Sequence, residues 1–223
     1  MQPLAAGVER LGGFPLWAIN VYLVGGVLID AGTRFARRRI LRRLRGRVVT
    51  AHALTHGHPD HQGSSRAVTE ALGIPLWCGL GDADAVESGR LLELLPDNPV
   101  ARFGVWAIGG PACPVARRLV EGDEVAGFRI LETPGHSPGH VSFWRESDRV
   151  LILGDTLANF RILPSIPGLH EPPGVFTPDP AQNRRSLRRL LELGVEPVLT
   201  CFGHGPPLRD PKRFVEFIRR LPA

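Results

Sequence analysis

Short apolar runs separated by Gly and Pro predict strands, and apolar positions three and four apart predict helices. "WAINVYLVGG" and "VLIDAG", divided by a Gly pair, read as antiparallel strands that open a sheet. From Thr33 to Arg47, Phe35, Ile40, Leu41 and Leu44 make an apolar helical stripe among arginines, with Gly46 as its stop. A strand over Val48 to Thr55 follows, then a helix from Ser64 to Leu72 that ends at Gly73, a short strand "IPLWCG" and a helix "DADAVESGRLLELL" stopped by Pro96. Pro96 to Pro114 lacks a clear period and reads as an irregular excursion walling a pocket. Strand character returns in "EVAGFRILETP", "HVSFWR" and "RVLILGD", with "ESD" as the turn between the last two. Leu157 to Pro180 reads as a loop rich in Pro and Gly. A helix over Ser186 to Leu193, the strand "PVLTCF", the turn "GHGPP" and a helix from Pro211 close the pattern.

Strands and helices interleave without a linker, so the expectation is an α+β fold in one domain, residues 1–223. Composition supports a folded chain: 43% apolar and 22% charged residues are ordinary globular values. The first ten residues lack a basic start followed by an apolar core, and no apolar run reaches the ~18 residues needed to span a bilayer. Three scattered cysteines, Cys78, Cys113 and Cys201, give neither a disulfide framework nor a Cys-x-x-Cys pair, which fits a reducing compartment. A cytoplasmic location without membrane contact is therefore expected. Lys212 is the only lysine, so the net charge of +5 rests on arginine. The arginine run reads first as the solvated face of a helix, with a phosphate-binding face as the alternative.

The chemistry concentrates in "LTHGHPDHQG", where His56, His58, Asp60 and His61 fall within six residues. In a shuffled chain of this composition, His-x-His-x-Asp-His would arise roughly once in two thousand trials, so chance is a weak explanation. Three later residues also follow apolar strands and sit by a glycine: His136 in "TPGHSPGH", Asp155 in "LILGDT" and His204 in "CFGHGPP". Strand ends can converge on one edge of a sheet. Imidazole and carboxylate suit zinc, manganese or iron, and the number of ligands is enough for two ions, with Asp155 able to bridge.

"HGHPDH", a distant "PGH", a "GD" ending a strand and a late "GHG" together resemble the metallo-β-lactamase superfamily, with a dinuclear site like that of glyoxalase II. The resemblance covers nearly the whole chain and implies a four-layer αββα sandwich with a two-metal site at one edge. It implies His56, His58 and His136 on the first metal, Asp60, His61 and His204 on the second, and Asp155 between them. Two divalent ions, zinc first and iron or manganese otherwise, would hold a shared water and lower its pKa toward ~7. Asp60 would orient that nucleophile or shuttle a proton.

The expected function is a metal-dependent hydrolase that turns a bridging hydroxide on a small acyl substrate: a thioester, ester or lactone. A phosphodiesterase acting on nucleic acid is the second reading, prompted by the arginine run, and iron-dependent oxygen or sulfur chemistry the third. Asp155 stands where one subclass of the family's β-lactamases has a cysteine. The length leaves little room for the C-terminal helical domain with which glyoxalase II enzymes grip glutathione, and none for the added domain of the RNA-cleaving branch. Tyr22, the only tyrosine, lies early in the chain, away from the place of the family's lactonase tyrosine. Among the remaining histidines, His52 reads as a packed core residue, His140 as a hydrogen-bonding support of the site and His170 as exposed. Cys78, Cys113 and Cys201 read as buried thiols, Cys113 alternatively as part of a pocket wall.

Overall fold

The structure is a computed structural model that describes residues 1–12, 17–161 and 166–222. The first half runs β1 (Gln2–Ala5), β2 (Val8–Arg10), β3 (Tyr22–Val24), β4 (Val27–Ile29), α1 (Arg37–Leu44), β5 (Ala51–Ala53), α2 (Pro59–Gln62) and α3 (Ser65–Leu72). It continues with β6 (Leu76–Gly79), α4 (Leu80–Ser88), a 3-10 turn (Leu91–Leu94), α5 (Pro99–Ile108) and β7 (Val115–Leu119). The second half holds β8 (Glu124–Val125), β9 (Phe128–Glu132), β10 (Val141–Arg145), β11 (Val150–Gly154), β12 (Ala158–Arg161) and β13 (Ile166–His170). A 3-10 turn (Gly174–Phe176), α6 (Pro180–Glu192), β14 (Leu199–Phe202) and α7 (Pro211–Arg219) complete it.

Strands β1 to β7 lie side by side in chain order in one sheet, antiparallel as far as β4 and parallel from there. The second sheet has the order β14-β11-β10-β9-β8, with β11 and β14 parallel. Period-two alternation decides how the sheets stack. In β9, β10 and β11, Phe128, Ile130, Phe143, Val150 and Ile152 meet Val24, Ile29 and Ala53 of the first sheet in a shared core. Their neighbours Leu131, Trp144, Leu151 and Leu153 turn the other way, onto Leu187 and Leu190 of α6 and Phe214 and Ile218 of α7. On the far side, Ile40 and Leu44 of α1 and Val68 of α3 cover Leu23 and Leu28. The layers are therefore helix, sheet, sheet, helix, as expected for an αββα sandwich. A strand covered on both faces must be apolar throughout, and β3, β4 and β11 are fully buried.

Several elements differ from the sequence reading. The 96–114 stretch contains α5: Asn98 caps it, accepting the Ala101 N–H at 2.9 Å, and Pro99 takes the first helical position. With Val100, Phe103 and Trp106 exposed and Ala101 its only buried residue, α5 lacks the apolar stripe that marks a helix in sequence. "DADAVESGRLLELL" is not one helix, because Gly89 at φ 74° ends α4 and the leucines form a separate 3-10 turn. The loop expected over 157–180 includes the β12–β13 hairpin, and α6 starts at Pro180, six residues before its expected start, under an Asp179 cap. Phe35 lies ahead of α1, 70% exposed, rather than in its apolar stripe. Only Ala51–Ala53 of the expected 48–55 strand pair regularly, and the β1–β2 hairpin and β7 carried too few apolar residues to be foreseen.

The loop after β5 and the loop after β9 are fastened together by one buried carboxylate. Asp82, in the first turn of α4, accepts the Gly57 N–H at 2.8 Å, the Ser137 hydroxyl at 2.6 Å and the Gly139 N–H at 2.6 Å. Beside it the backbones nearly touch: a Cβ on Gly79 would lie 1.9 Å from the Gly139 carbonyl oxygen, so only glycine fits. Removing an acceptor from buried donors costs about 1–3 kcal/mol for each donor stranded. The Ser137 hydroxyl can rotate away but the two N–H groups cannot, so Asp82→Ala is expected to lower the unfolding free energy by about 2–6 kcal/mol, read from denaturant midpoints. A loss below about 1 kcal/mol would mean that the two loops hold each other without it.

Candidate metal centre

Each candidate residue leaves the end of a strand at one edge of the sandwich. β5 leads through Thr55 to His56, His58 and the short α2 that carries Asp60 and His61. β9 leads to His136, β11 to Asp155 and β14 to His204. Parallel pairs β4–β5 and β11–β14 put their C-terminal ends on the same side, which is how residues far apart in sequence meet. All seven are brought together. Three groups, His56–His58–His136, His56–His61–Asp155 and Asp60–His61–His204, have ligand atoms within 4.8 Å of one another. Asp155 Oδ2 lies at the middle, 2.9 Å from His204 Nε2, 3.2 Å from His61 Nε2, 3.6 Å from His136 Nε2 and 3.9 Å from His56 Nε2. Asp60 Oδ2 is 3.3 Å from His204 Nε2 and 3.8 Å from His61 Nε2.

Hydrogen bonds at the outer ring nitrogens decide which nitrogen each imidazole presents. His61 Nδ1 donates to Asp30 Oδ2 at 2.9 Å, and His204 Nδ1 donates to the Ala18 carbonyl. His58 is turned the other way: its Nε2 donates to the Leu94 carbonyl at 3.0 Å, so Nδ1 faces the cluster. Thr55 gives its own proton to Asp30 and accepts His56 Nδ1 at 3.0 Å; Thr177 gives its proton to the Pro173 carbonyl and accepts His136 Nδ1 at 3.1 Å. In its neutral form each ring thus spends its one N–H outward and points a lone pair inward. His56 Nε2, His61 Nε2, His136 Nε2 and Asp155 Oδ1 are buried with no hydrogen-bond partner among the described residues. Buried polar atoms are normally satisfied, so orphaned imidazole nitrogens gathered round one carboxylate fit a divalent cation.

Electrostatics agrees. Burial drives His56 and His136 well below the usual imidazole range, which keeps them neutral and able to ligate. Burial would lower His204 too, but Asp155 and Asp60 outweigh it and push its pKa up to about 10. Asp155 is held well below the usual carboxylate range, its burial overcome by His204 and His61. Two carboxylates in a nearly dry pocket call for positive charge, and divalent ions on the inward lone pairs would supply it.

The supporting residues are largely ones that sequence reasoning passed over. Asp30, fully buried, takes both His61 and the Thr55 N–H, the latter at 2.8 Å. It ends a strand before a glycine in "LIDAG", the pattern that singled out Asp155 in "LILGDT". His140 holds the site as expected: the Asp155 N–H donates to its Nε2 at 3.0 Å, and its Nδ1 donates to Thr133 at 2.9 Å. His52 is a packed core histidine, bonded to the Leu28 carbonyl and Ser65. Tyr22 lies in the core, its hydroxyl donating to the Phe202 carbonyl at 2.7 Å. His170 departs from expectation: it is half-buried, with Nε2 enclosed. All three cysteines are buried thiols.

Comparison with known proteins agrees with this geometry. Residues 15–204 match the model of the metallo-beta-lactamase superfamily. A probable metallo-hydrolase of Bacillus subtilis, YflN, is 29% identical over 88% of this chain and 84% of its own length. The hydroxyacylglutathione hydrolase GloC of Haemophilus influenzae is 34% identical over 47% of this chain and 48% of its own. Among solved structures, TTHA1623 in a di-iron-bound form is 34% identical, with a TM-score of 0.66 over 91% of this chain and 94% of that one. With the αββα layers, the converging His and Asp side chains and a family match over most of its length, the chain belongs to the metallo-β-lactamase superfamily and is a hydrolase built to take divalent metal.

Proposed function

We propose that this enzyme hydrolyses a small acyl thioester or ester at a two-metal centre formed by His56, His58 and His136 on one side, Asp60, His61 and His204 on the other, and Asp155 between them. The observation that carries the reading is the set of inward lone pairs around Asp155 Oδ2, each fixed by an outward hydrogen bond. Imidazole and carboxylate suit zinc first, with iron as the alternative that the di-iron neighbour supports and manganese as a further one. When bound, two such ions supply an acidified water as nucleophile and a Lewis acid for the developing oxyanion.

The chain's own residues do the rest. With ions bound, the five imidazoles would be neutral ligands, each held in place by its outward hydrogen bond. Asp60, more exposed than its neighbours at 23% of its side chain, is the group at the mouth that can take a proton at Oδ2 and pass it to the leaving group. α5 leans on α2 and presents Val100, Phe103 and Trp106 to solvent, an apolar surface for the acyl part of a substrate. Support for a thioester comes from the hydroxyacylglutathione hydrolases among the relatives. No helix among the described residues is long and apolar enough to cross a membrane, which fits a small-molecule substrate met in water.

Four measurements test this reading. Protein of measured metal content should carry close to two divalent ions per chain and turn over thioesters or esters in a panel that includes lactones, β-lactams and phosphodiesters. Asp155→Ala should lose metal and at least about a hundredfold in kcat/KM, and unchanged turnover would sink the proposal. Asp60→Asn, compared at equal metal content, should lower kcat by roughly 10²–10⁴-fold; full kcat would remove Asp60 from the chemistry. Asp30→Asn keeps a residue that tolerates the φ of 60° found there but replaces the carboxylate behind His61. It should weaken metal affinity by about 10–100-fold in chelator competition, whereas wild-type affinity would reduce Asp30 to packing.

A further inference from the structure

A second site lies outside the metal centre. Arg34, Phe35, Arg37, Arg38, Gly63 and Arg66, with Ala67, Glu70 and Pro111, line a cavity of about 590 Å³ that includes none of the seven candidate ligands. Four of these side chains are guanidinium groups and one is a carboxylate. That carboxylate is already engaged, since Arg66 Nε donates to Glu70 Oε1 at 2.7 Å. Arg34, Arg37 and Arg38 make no ion pair among the described residues. Three like charges gathered without a counter-charge repel one another, and a solvated helix face would instead spread them or interleave acids.

Two helix starts border the same cavity. Arg37 and Arg38 are the first residues of α1, and Gly63, Arg66 and Ala67 surround the start of α3. Neither helix has an acid in its first turn or a side-chain cap: Ala36 before α1 has nothing to offer, and the Ser64 hydroxyl before α3 donates to the Thr33 carbonyl at 2.6 Å instead. A helix N-terminus carries partial positive charge and free N–H groups, so cations are badly placed there and an anion is well placed. Phe35 adds an aromatic face, 70% exposed, with the Arg34 guanidinium carbon 5.2 Å from the ring centre. A large apolar ring left in solvent beside free guanidinium groups suits a planar, electron-rich ring attached to phosphates.

We propose that this cavity binds a nucleoside polyphosphate, its phosphates held by Arg34, Arg37, Arg38 and the two helix starts and its base stacked on Phe35. The volume lies within the ~300–1,000 Å³ of ordinary small-molecule sites. The site is separate from the hydrolytic one and does not depend on which substrate is cleaved there.

The test is calorimetric titration of ADP and of inorganic pyrophosphate into the metal-loaded protein, at low and at raised salt. One ADP per chain is expected, bound roughly fivefold or more tighter than pyrophosphate and weakened by salt. The exposed double change Arg37→Ala with Arg38→Ala should weaken both ligands at least about tenfold, with thermal stability and ester turnover retained. Phe35→Ala should bring ADP down to the affinity of pyrophosphate. Asp155→Ala should bind ADP as the unmodified protein does. The proposal is overturned by the absence of saturable ADP binding, by affinity that survives the double arginine change, or by binding lost in Asp155→Ala, which would move the nucleotide to the metals. A single-stranded oligonucleotide that displaces ADP and binds more tightly would likewise overturn it, assigning the face to nucleic acid.

Discussion

A carboxylate 4% exposed, with one oxygen within 3.9 Å of four imidazole nitrogens, is the constraint on which the rest of this structure depends. Burying Asp155 is costly unless positive charge meets it. The polar shell exists to keep the imidazoles round it aimed. Asp30, Thr55, Thr177 and the carbonyls of Ala18 and Leu94 each absorb one N–H, leaving the opposite nitrogen free. The Asp155 backbone is itself anchored through His140, whose bond to Thr133 continues through Ser142 to the Leu153 carbonyl. The orphaned atoms at the centre and the satisfied atoms around it are two sides of one arrangement.

The sandwich makes that arrangement affordable in space. Two sheets sharing one core bring the ends of β5, β9, β11 and β14 to a common edge, so short loops suffice to assemble ligands spread over nearly 150 residues. Closeness then restricts side chains. A Cβ on Gly203 would stand 1.9 Å from Asp155 Oδ1, so the residue before His204 must be glycine for the carboxylate to sit where it does. The N-terminal segment closes the same edge, with Asn20 Nδ2 donating to the Phe202 and Gly205 carbonyls on either side of His204. The rigidity needed for metal chemistry therefore comes from backbone packed on backbone, not from a large number of side-chain contacts.

What could be read in the sequence follows from how each residue announces itself. The seven candidate ligands were legible because histidine is scarce and because three of them end apolar strands beside glycine. The layers were legible because strands covered on both sides must be apolar. Asp30 was not singled out, since an aspartate after a strand and near a glycine is also an ordinary turn, and only the His61 contact separates the two. Thr177 lies 41 residues from the histidine it supports, and the Leu94 partner of His58 is a backbone carbonyl that leaves no trace in side-chain identity. Helix α5 was missed for the opposite reason. Its outward apolar face breaks the rule that apolar means buried, although the Asn98–Pro99 start was plain.

The metal centre and the arginine cavity lie on either side of one short piece of structure. The His61 carbonyl accepts the Ala31 N–H at 2.7 Å, and the Ser64 hydroxyl holds the Thr33 carbonyl, so residues 30–34 and 61–64 form a paired wall. Its inner surface bears Asp30 and His61, which want positive charge; its outer surface bears Arg34, which wants negative charge. Gly63 permits this, because a Cβ there would meet the Arg34 nitrogen at 2.4 Å. Opposite charges on the two faces attract opposite ligands, and so each pocket excludes the other's. A ligand outside can alter the chemistry inside only if it binds two arrangements of the wall unequally. With Asp30, Ala31, Thr33 and Arg34 all hydrogen-bonded, the last through its N–H to the Ile108 carbonyl at 3.0 Å, the wall has little freedom to offer two. The physical expectation is therefore two sites that share a partition and act independently.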